Sequence, residues 1–333
     1  MHRSWSSIAS ASTGENIMNK PKISVCIPTY NYAEYIGQAI DSVLMQDYDD
    51  YELIIIDDCS SDTTRDVVDG YIKKGDPRIR LVVNETNRGL VGNWNFSLEL
   101  AKGEYIKFLF ADDYFIETDA LRSMTALLDA DPAISLVSTA RTVVDKHSIP
   151  YKLLTHFDVD CSVSGTSVIE ECLSCMLNLI GEPSAVMFRK SQAVRGFDQA
   201  YKQLVDLEMW FHLLEQGNYA YISRSLCSFR IHDKQQTAVN RKDPGTILET
   251  DWLHQEYLDK PYISISPLRR FYVCYDYKYR IWENFRTNSQ EIKKQLYDSF
   301  FSKMEFFVLV SIYKIAKPLV KLRKKKHVTC LKT

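Results

Sequence analysis

Three short apolar runs in the first third of the chain each end in a cluster of polar residues. The runs cover residues 23–31, 53–58 and 106–113. Runs of this length and composition are typical of strands that are buried on both faces. If helical crossovers make the strands parallel, their carboxyl ends lie at one edge of the sheet, where open α/β sheets bind ligands. The three polar clusters are therefore expected to meet at one crevice.

Segments with helical spacing separate these strands and continue beyond them. After the first strand, Ile36, Ile40, Val43 and Leu44 recur at the spacing of one helix face. This alternation predicts an α/β fold, with a mainly parallel sheet that helices cover on both faces. Helices are predicted at 62–71, 91–101, 120–128, 166–179 and 206–216, and further strands at 79–83, 105–110, 134–138 and 185–188.

The chain divides into three predicted regions. Residues 1–20 are rich in Ser, Ala and Thr and are expected to be a disordered tail. Residues 21–235 form one α/β domain with halves at 21–115 and 116–235, and residues 236–333 form a helical region with a basic tail. Near the end, apolar residues 306–312 precede basic residues between 314 and 326. This pairing is typical of an interfacial anchor on anionic lipid, and the alternative is a docked helix with a solvated basic tail.

Charge and cysteine content narrow the class of protein. The net charge of −2 argues against a nucleic-acid partner, because such binding depends on clustered, uncompensated Lys and Arg. The eight cysteines are scattered, without the regular spacing of a secreted disulfide framework. A reducing, cytoplasmic location is therefore expected.

The polar clusters carry the chemistry, because the usual phosphate-binding loops are missing. The sequence contains neither a Gly-x-Gly-x-x-Gly fingerprint nor a P-loop. Asp112 and Asp113 instead suit a hard divalent cation that bridges a diphosphate, although aspartate pairs also begin helices and form turns. Asp58 ends a neighbouring strand, where a carboxylate can accept hydrogen bonds from ribose hydroxyls or a base N–H.

The order and spacing of three motifs resemble family 2 glycosyltransferases with a GT-A fold. The motifs are Pro28-Thr29-Tyr30-Asn31, Asp57-Asp58-Cys59-Ser60-Ser61-Asp62 and Ala111-Asp112-Asp113. The likeness extends to about Asp233. It implies that residues 21–115 bind a nucleotide-diphosphate sugar and that residues 116–235 receive a saccharide or lipid-linked acceptor.

The resemblance also implies roles for individual donor-site residues. Nucleotide-sugar contacts map onto Pro28, Thr29, Tyr30, Asn31, Asp58, Asn93 and Asp112. Asn93 belongs to a segment that resembles the family's sequence before its metal motif, and the alternative is a solvated amide at a helix start. Metal contacts, to Mn²⁺ or Mg²⁺, map onto Asp113, Asp112 and His232. For His232, which ends a Phe-Arg-Ile-His segment, the alternative is a surface imidazole.

Acceptor chemistry maps onto the second half of the domain. Asp206 matches the family's catalytic base, and the alternative is an ordinary helix-start residue. Trp210 lies four residues later on the same predicted helix face, so its indole is expected to stack on an acceptor sugar. Glu182, before the strand at 185–188, is expected to contact the acceptor.

Together these residues predict a metal-dependent inverting glycosyltransferase of cell-surface polysaccharide, O-antigen or capsule biosynthesis, peripheral on the inner membrane face. Phe110, Val205 and Cys59 depart from the family pattern, which leaves the metal shell and substrate choice open. One alternative is a catalytically silent nucleotide-sugar binding or scaffold protein. The other is a sugar-1-phosphate nucleotidyltransferase, whose Gly-rich loop near the N-terminus is missing here.

Overall fold

The computed structural model describes residues 20–233, 235–240, 245–267, 269–271 and 273. The strands are β1 Ile23–Thr29, β2 Tyr51–Asp57, β3 Ile79–Val83, β4 Tyr105–Phe108, β5 Ile134–Val144, β6 Pro150–Leu154, β7 Cys161–Ser164, β8 Val186–Arg189 and β9 Asn218–Arg230. The α-helices are α1 Ile36–Leu44, α2 Thr64–Ile72, α3 Gly89–Leu100, α4 Ala120–Ala130, α5 Gly165–Cys175, α6 Val205–Leu214, α7 Gln236–Asn240 and α8 Gly245–Leu258. The predicted N-terminal tail up to residue 19, residues 274–333 and the proposed lipid anchor lie outside the described residues.

One mixed sheet forms the centre of the domain, with strand order β3-β2-β1-β4-β8-β5-β9-β7 and with β6 paired to β5. The first four strands are parallel, as the alternation of strands and helices predicts. Strand β8 lies antiparallel between β4 and β5, so the sheet is mainly and not wholly parallel, as predicted. Because β8 reverses direction, β5 and β9 again run the same way as β4.

Side chains alternate along the central strands and separate two hydrophobic cores. Along β1, Ile23, Val25 and Ile27 pack with α1, α2 and α4 on one face, while Cys26 packs with α3, α5 and α6 on the other. Helix α8 also packs on this second face, through residues such as Leu253. Because successive side chains of a strand face opposite cores, the central strands are mostly apolar on both faces.

The carboxyl ends of β1, β2, β3, β4 and β9 lie at one edge of the sheet, because these strands run in the same direction. Backbone contacts join the residues that follow the strands. The Asp58 N–H donates to the Thr29 carbonyl at 2.9 Å, and the Asn84 N–H donates to the Asp57 carbonyl at 2.9 Å. The predicted crevice is therefore built at this edge.

Candidate active site

Thr29 and Asp58 form the part of the edge where the nucleoside was predicted to bind. The Asp58 carboxylate accepts hydrogen bonds from Asn84 Nδ2 at 2.7 Å and from the Arg88 N–H at 2.8 Å, both at Oδ1. Among the described residues, no hydrogen bond is made to the buried Thr29 hydroxyl. A buried hydroxyl usually has a partner, and neither Thr29 Oγ1 nor Asp58 Oδ2 has a hydrogen-bond partner among the described residues.

The other predicted nucleotide contacts divide between exposed and structural positions. Tyr30 is 47% exposed beside the crevice. Asn31 adopts φ +61°, and its side-chain oxygen accepts the Ser61 N–H at 2.8 Å, so it joins two loops. Pro28 is buried within β1. These two residues shape the loop that carries Tyr30.

Asn93 lies behind the site and not in it, contrary to the predicted nucleotide contact. The side chain is buried; its oxygen accepts a hydrogen bond from Asn84 Nδ2 at 3.0 Å, and its Nδ2 donates to the Ile56 carbonyl at 3.1 Å. Asn93 therefore positions Asn84, which in turn holds Asp58. Because the side chain is buried and both ends of its amide are hydrogen-bonded within the protein, the amide contacts neither solvent nor the open part of the site.

Asp112 and His232 come together although 120 residues separate them. His232 Nε2 lies 3.0 Å from Asp112 Oδ2, and the imidazole packs edge-on against the Tyr32 ring at 5.9 Å. A carboxylate oxygen and an imidazole nitrogen at this distance are a donor set that divalent cations accept.

Asp113 is buried and is hydrogen-bonded within the protein, and its predicted contact with a metal stays a prediction. Its carboxylate accepts the Arg230 N–H at 2.8 Å and a hydrogen bond from the Ser184 hydroxyl. Burial, with the adjacent charge of Asp112, raises the pKa of Asp113 well above its usual range. Asp113 therefore joins the segment after β4 to Arg230 on β9 and to Ser184.

Arg230 is a fully buried cation that organises the strand ends around the site. Its Nε donates to the Asp112 carbonyl at 2.6 Å, and its terminal nitrogens donate to Gln38 Oε1 at 2.7 Å and Ser148 Oγ at 2.9 Å. The guanidinium also lies 4.7 Å from the centre of the Tyr35 ring. One side chain thus ties the aspartate pair to α1 and to the turn after β5.

Asp206 lies in the first turn of α6, close to Asn178 and Glu182. Its carboxylate accepts the Leu207 N–H at 2.8 Å and lies 3.5 Å from Asn178 Nδ2. Burial raises the pKa of Asp206 to about 7, and the negative charge of Glu182 is the second cause of the increase. A carboxylate that exchanges its proton near neutral pH is suited to general base catalysis.

Glu182 connects the acceptor side to the aspartate pair, because its charge also raises the pKa of Asp113. Both carboxylate oxygens face Arg141 on β5. The predicted acceptor contact by Glu182 stays a prediction, but its location beside Asp206 places it in the site.

The prediction that Trp210 stacks on an acceptor sugar is wrong. The indole is 0% exposed and packs against the Phe188 ring at 5.6 Å and the Phe197 ring at 6.5 Å. Its Nε1–H donates to the Gly181 carbonyl at 2.9 Å. Because Asp206 and Trp210 share a helix face, Asp206 lies next to the core that the indole fills.

Sequence reasoning missed several residues that build the site. Asn84 directly follows a predicted strand, so the rule that selected Asp58 could have found it. Lys107 gave no such signal: its buried ammonium donates to the Phe108 carbonyl at 2.9 Å, to the Pro183 carbonyl at 3.3 Å and to the Ser184 carbonyl. This cation holds the segment that carries Glu182 and Ser184.

Comparison with known proteins agrees with this geometry. The family model for glycosyl transferase family 2 matches residues 24–178. A Bacillus subtilis protein named as a glycosyltransferase of teichuronic acid biosynthesis, TuaG, is 31% identical over 220 residues, which are 64% of this chain and 80% of that protein. The Escherichia coli UDP-Glc:alpha-D-GlcNAc-diphosphoundecaprenol beta-1,3-glucosyltransferase WfgD is 26% identical over 263 residues, covering 77% of this chain and 96% of WfgD.

The fold is also similar to that of the mannosyltransferase PcManGT from Pyrobaculum calidifontis, solved in complex with GDP-Man and Mn²⁺. The TM-score is 0.56 at 18% sequence identity, and the match covers 93% of this chain and 89% of PcManGT. The predicted GT-A fold is therefore confirmed.

None of the helices in the described ranges is both long enough and apolar enough to cross a membrane. With its motifs assembled at one sheet edge and these relatives, the chain belongs to glycosyl transferase family 2.

Proposed function

We propose that this protein is an inverting glycosyltransferase that moves a sugar from a nucleotide-diphosphate sugar to a hydroxyl of a lipid-linked saccharide. The observation that carries the proposal is the meeting of Asp58 and the Asp112–His232 pair at one sheet edge, together with an Asp206 carboxylate whose pKa burial and Glu182 raise to about 7. Glu182 relates Asp206 to the aspartate pair, since its charge acts on Asp206 and on Asp113, which follows Asp112 in the chain.

The donor is held by groups on β1 and β2. Asp58 Oδ2 can accept hydrogen bonds from ribose hydroxyls or a base N–H, and the Thr29 hydroxyl can satisfy its missing hydrogen bond on the same ligand. Tyr30 is exposed enough for its ring to cover a base or sugar. The sugar diphosphate then extends toward Asp112.

Asp112 and His232 are the residues that would hold Mn²⁺ or Mg²⁺. In the described part of the chain, no group of three or more His, Cys, Asp or Glu side chains is arranged to hold a metal. The two residues still fit, because such cations are commonly bound through one or two carboxylates together with substrate phosphates. When bound, the ion would offset negative charge on the departing diphosphate. The GDP-Man and Mn²⁺ complex of PcManGT supports this choice.

Asp206 removes the proton from the acceptor hydroxyl as its oxygen attacks the anomeric carbon. Asp206 is suited to this step because its buried carboxylate takes up a proton near pH 7. The new C–O bond forms on the face opposite the diphosphate, and the bond to the diphosphate breaks in the same displacement. The configuration at the anomeric carbon is therefore inverted.

The acceptor is proposed from chemistry and relatives together. WfgD acts on a sugar linked to diphosphoundecaprenol, as its name states, and TuaG is named for the synthesis of a cell-surface polymer. A lipid-linked acceptor would bring the reaction to a membrane surface, on the cytoplasmic side where we place this protein. The basic segment between 314 and 326 would supply the contact with anionic lipid.

Product analysis tests the proposed function. The full chain, incubated with Mn²⁺, radiolabelled UDP- or GDP-sugars and diphosphoundecaprenol-linked N-acetylglucosamine, is expected to release nucleoside diphosphate and to label the lipid fraction. Proton NMR of the product should show an anomeric configuration opposite to that of the donor. A silent binding protein would bind UDP or GDP without release, and a nucleotidyltransferase would release pyrophosphate from a sugar 1-phosphate and a nucleoside triphosphate.

The acid limb of the pH profile gives a second test. Because Asp206 must be ionised to accept a proton and burial raises its pKa to about 7, kcat/KM is expected to fall about tenfold for each pH unit below 7. The measurement is initial transfer rates between pH 5.5 and 9, with circular dichroism to show that the fold persists. A rate that stays flat down to pH 5.5 would argue against Asp206 as the base.

A further inference from the structure

We propose that Arg141 is a positioning residue of the transfer reaction, which holds the Glu182 carboxylate beside Asp206 so that the base works next to a fixed negative charge. The proposal rests on the role of Asp206 in the proposed function. It assigns a task to an ion pair that none of the predicted donor or metal contacts requires.

The ion pair has the geometry of a fork. Arg141 lies on β5 and is only 8% exposed. Its Nη2 donates to Glu182 Oε1 at 3.3 Å, and its Nε contacts the second carboxylate oxygen. Two parallel contacts from a planar guanidinium fix both the position and the orientation of the carboxylate. Glu182 is thus held on one side and cannot turn freely toward solvent.

The backbone before Glu182 is fixed relative to α6. The Gly181 carbonyl accepts hydrogen bonds from Trp210 Nε1 at 2.9 Å and from Asn178 Nδ2 at 3.3 Å, and the same Asn178 nitrogen lies 3.5 Å from Asp206 Oδ2. Since Trp210 follows Asp206 by one helical turn, the turn at Gly181 is tied to the face that carries the base. This contact gives the buried indole a part in holding the site together.

Gly181 also allows the close approach of Arg141. Its φ of +116° is a conformation that residues with a side chain rarely adopt, and a Cβ at this position would lie 3.3 Å from Arg141 Nη1. A glycine here therefore lets the guanidinium pass next to the backbone and reach Glu182. Arg141 on β5 therefore holds the Glu182 carboxylate, while Trp210 on α6 and Asn178 hold the Gly181 carbonyl just before it.

The charges around Asp206 are few, which makes the contribution of this pair measurable. Glu182 raises the pKa of Asp206, whereas the Leu207 and Asp206 backbone N–H groups and Arg141 lower it. His156 lies near Arg141. Burial lowers the pKa of His156 to about 4, so its imidazole is neutral near pH 7. One negative and one positive side chain therefore act on Asp206. Removing the charge of Glu182 should lower the pKa of Asp206, and removing the charge of Arg141 should raise it.

The experiment compares the pH profiles of two single variants and their combination. Glu182→Gln removes the negative charge, so the acid limb of kcat/KM is expected to move down by about one pH unit. Arg141→Gln leaves Glu182 uncompensated, so the limb should move up by about one unit, with about tenfold lower kcat/KM at pH 6. The double variant should return close to the wild-type limb.

A matched control and a conservative variant separate positioning from folding. Arg195→Gln removes another arginine–carboxylate pair on α6, in which Arg195 Nη2 lies 2.5 Å from Glu208, and it should leave the limb in place. If Arg141→Gln does not fold, Arg141→Lys keeps the charge but loses the fork, and it should raise the limb by less than one unit while lowering kcat. An Arg141→Lys limb identical to that of the wild type would overturn the proposal.

Two other outcomes distinguish failure here from failure of the proposed function. If both single variants melt at lower temperatures but keep the wild-type acid limb of kcat/KM, then Arg141 and Glu182 stabilise the fold and do not tune Asp206. Limbs that move in the same direction would also contradict the opposing effects of the two charges. Wild-type turnover by Asp206→Asn would instead remove the base itself, and with it the function that this inference deepens.

Discussion

Replacing Asp206 by asparagine is expected to lower the rate of sugar transfer by a factor of about 10² to 10⁴, the range that a positioned general base contributes. Asparagine has nearly the same shape and can still accept the Leu207 N–H that Asp206 accepts at 2.8 Å. It cannot take the proton of an acceptor hydroxyl. The loss should therefore appear in kcat, measured as transfer of radiolabelled sugar at saturating donor.

Binding of the donor nucleotide provides the internal control for Asp206→Asn. The calorimetric affinity for UDP or GDP should stay at the wild-type value, because the proposed nucleoside contacts are Asp58 and Thr29 and not Asp206. Glu208→Gln is the matched variant: it removes another buried carboxylate of α6, which pairs with Arg195 away from Asp206. Its melting temperature should fall while transfer continues. If both variants lose transfer equally, damage to α6 and not loss of the base explains the effect.

Replacing Asp112 by asparagine is expected to weaken Mn²⁺-dependent binding of UDP or GDP by about 10²-fold, the upper end of what loss of even an outer-shell partner costs a metal site. The amide keeps an oxygen within reach of His232 Nε2, which lies 3.0 Å from the native carboxylate, so the local fold should survive. What disappears is the negative charge that attracts a divalent cation. Calorimetric titration with Mn²⁺ and UDP measures this loss without any turnover.

The design includes a metal-free arm and a surface control. Without Mn²⁺, Asp112→Asn and the wild type should bind UDP equally if, as proposed, Asp58 contacts the nucleoside and Asp112 acts through the ion. Asp66→Asn removes an exposed carboxylate of α2 and should bind Mn²⁺ and UDP as the wild type does. Unchanged affinity of Asp112→Asn with Mn²⁺ would show that this carboxylate does not hold the ion.

The nucleotide-binding half was predictable because its pattern is local. Helix α1 follows from the spacing of Ile36, Ile40 and Val43, and β3 begins and ends at the predicted residues. The polar residue after each parallel strand must lie at the common edge, which is why Asp58 and Asp112 fall where expected. The same rule applies to Asn84, which was overlooked.

The acceptor half was less predictable, since its strands do not follow the alternation. The antiparallel insertion of β8 and the thirteen-residue strand β9 depend on pairing between distant segments, and no local pattern identifies such partners. The missed strand β9 nevertheless delivers His232 to the edge. Only the pairing of β9 with β5 brings this imidazole to Asp112.

Trp210 and Asn93 illustrate why residue type alone misleads about exposure. Helical spacing correctly places Trp210 on the face of Asp206, but it cannot tell which part of that face touches solvent. The core filled by Phe188 and Phe197 decides that the indole is internal. Asn93 was expected on the ligand or in water, and the nearby backbone of β2 instead takes up its amide.

By itself, the sequence determined the strand–helix alternation, the family and the identity of the acids that end the parallel strands, because these depend on periodicity and on short motifs. The tertiary structure alone decided which acid pairs with His232, that the Asp113 carboxylate binds the Arg230 N–H, and that the charges of Arg141 and Glu182 act on Asp206. Charges interact through space and not along the chain, so the pKa of a base depends on neighbours that only folding brings within a few ångströms.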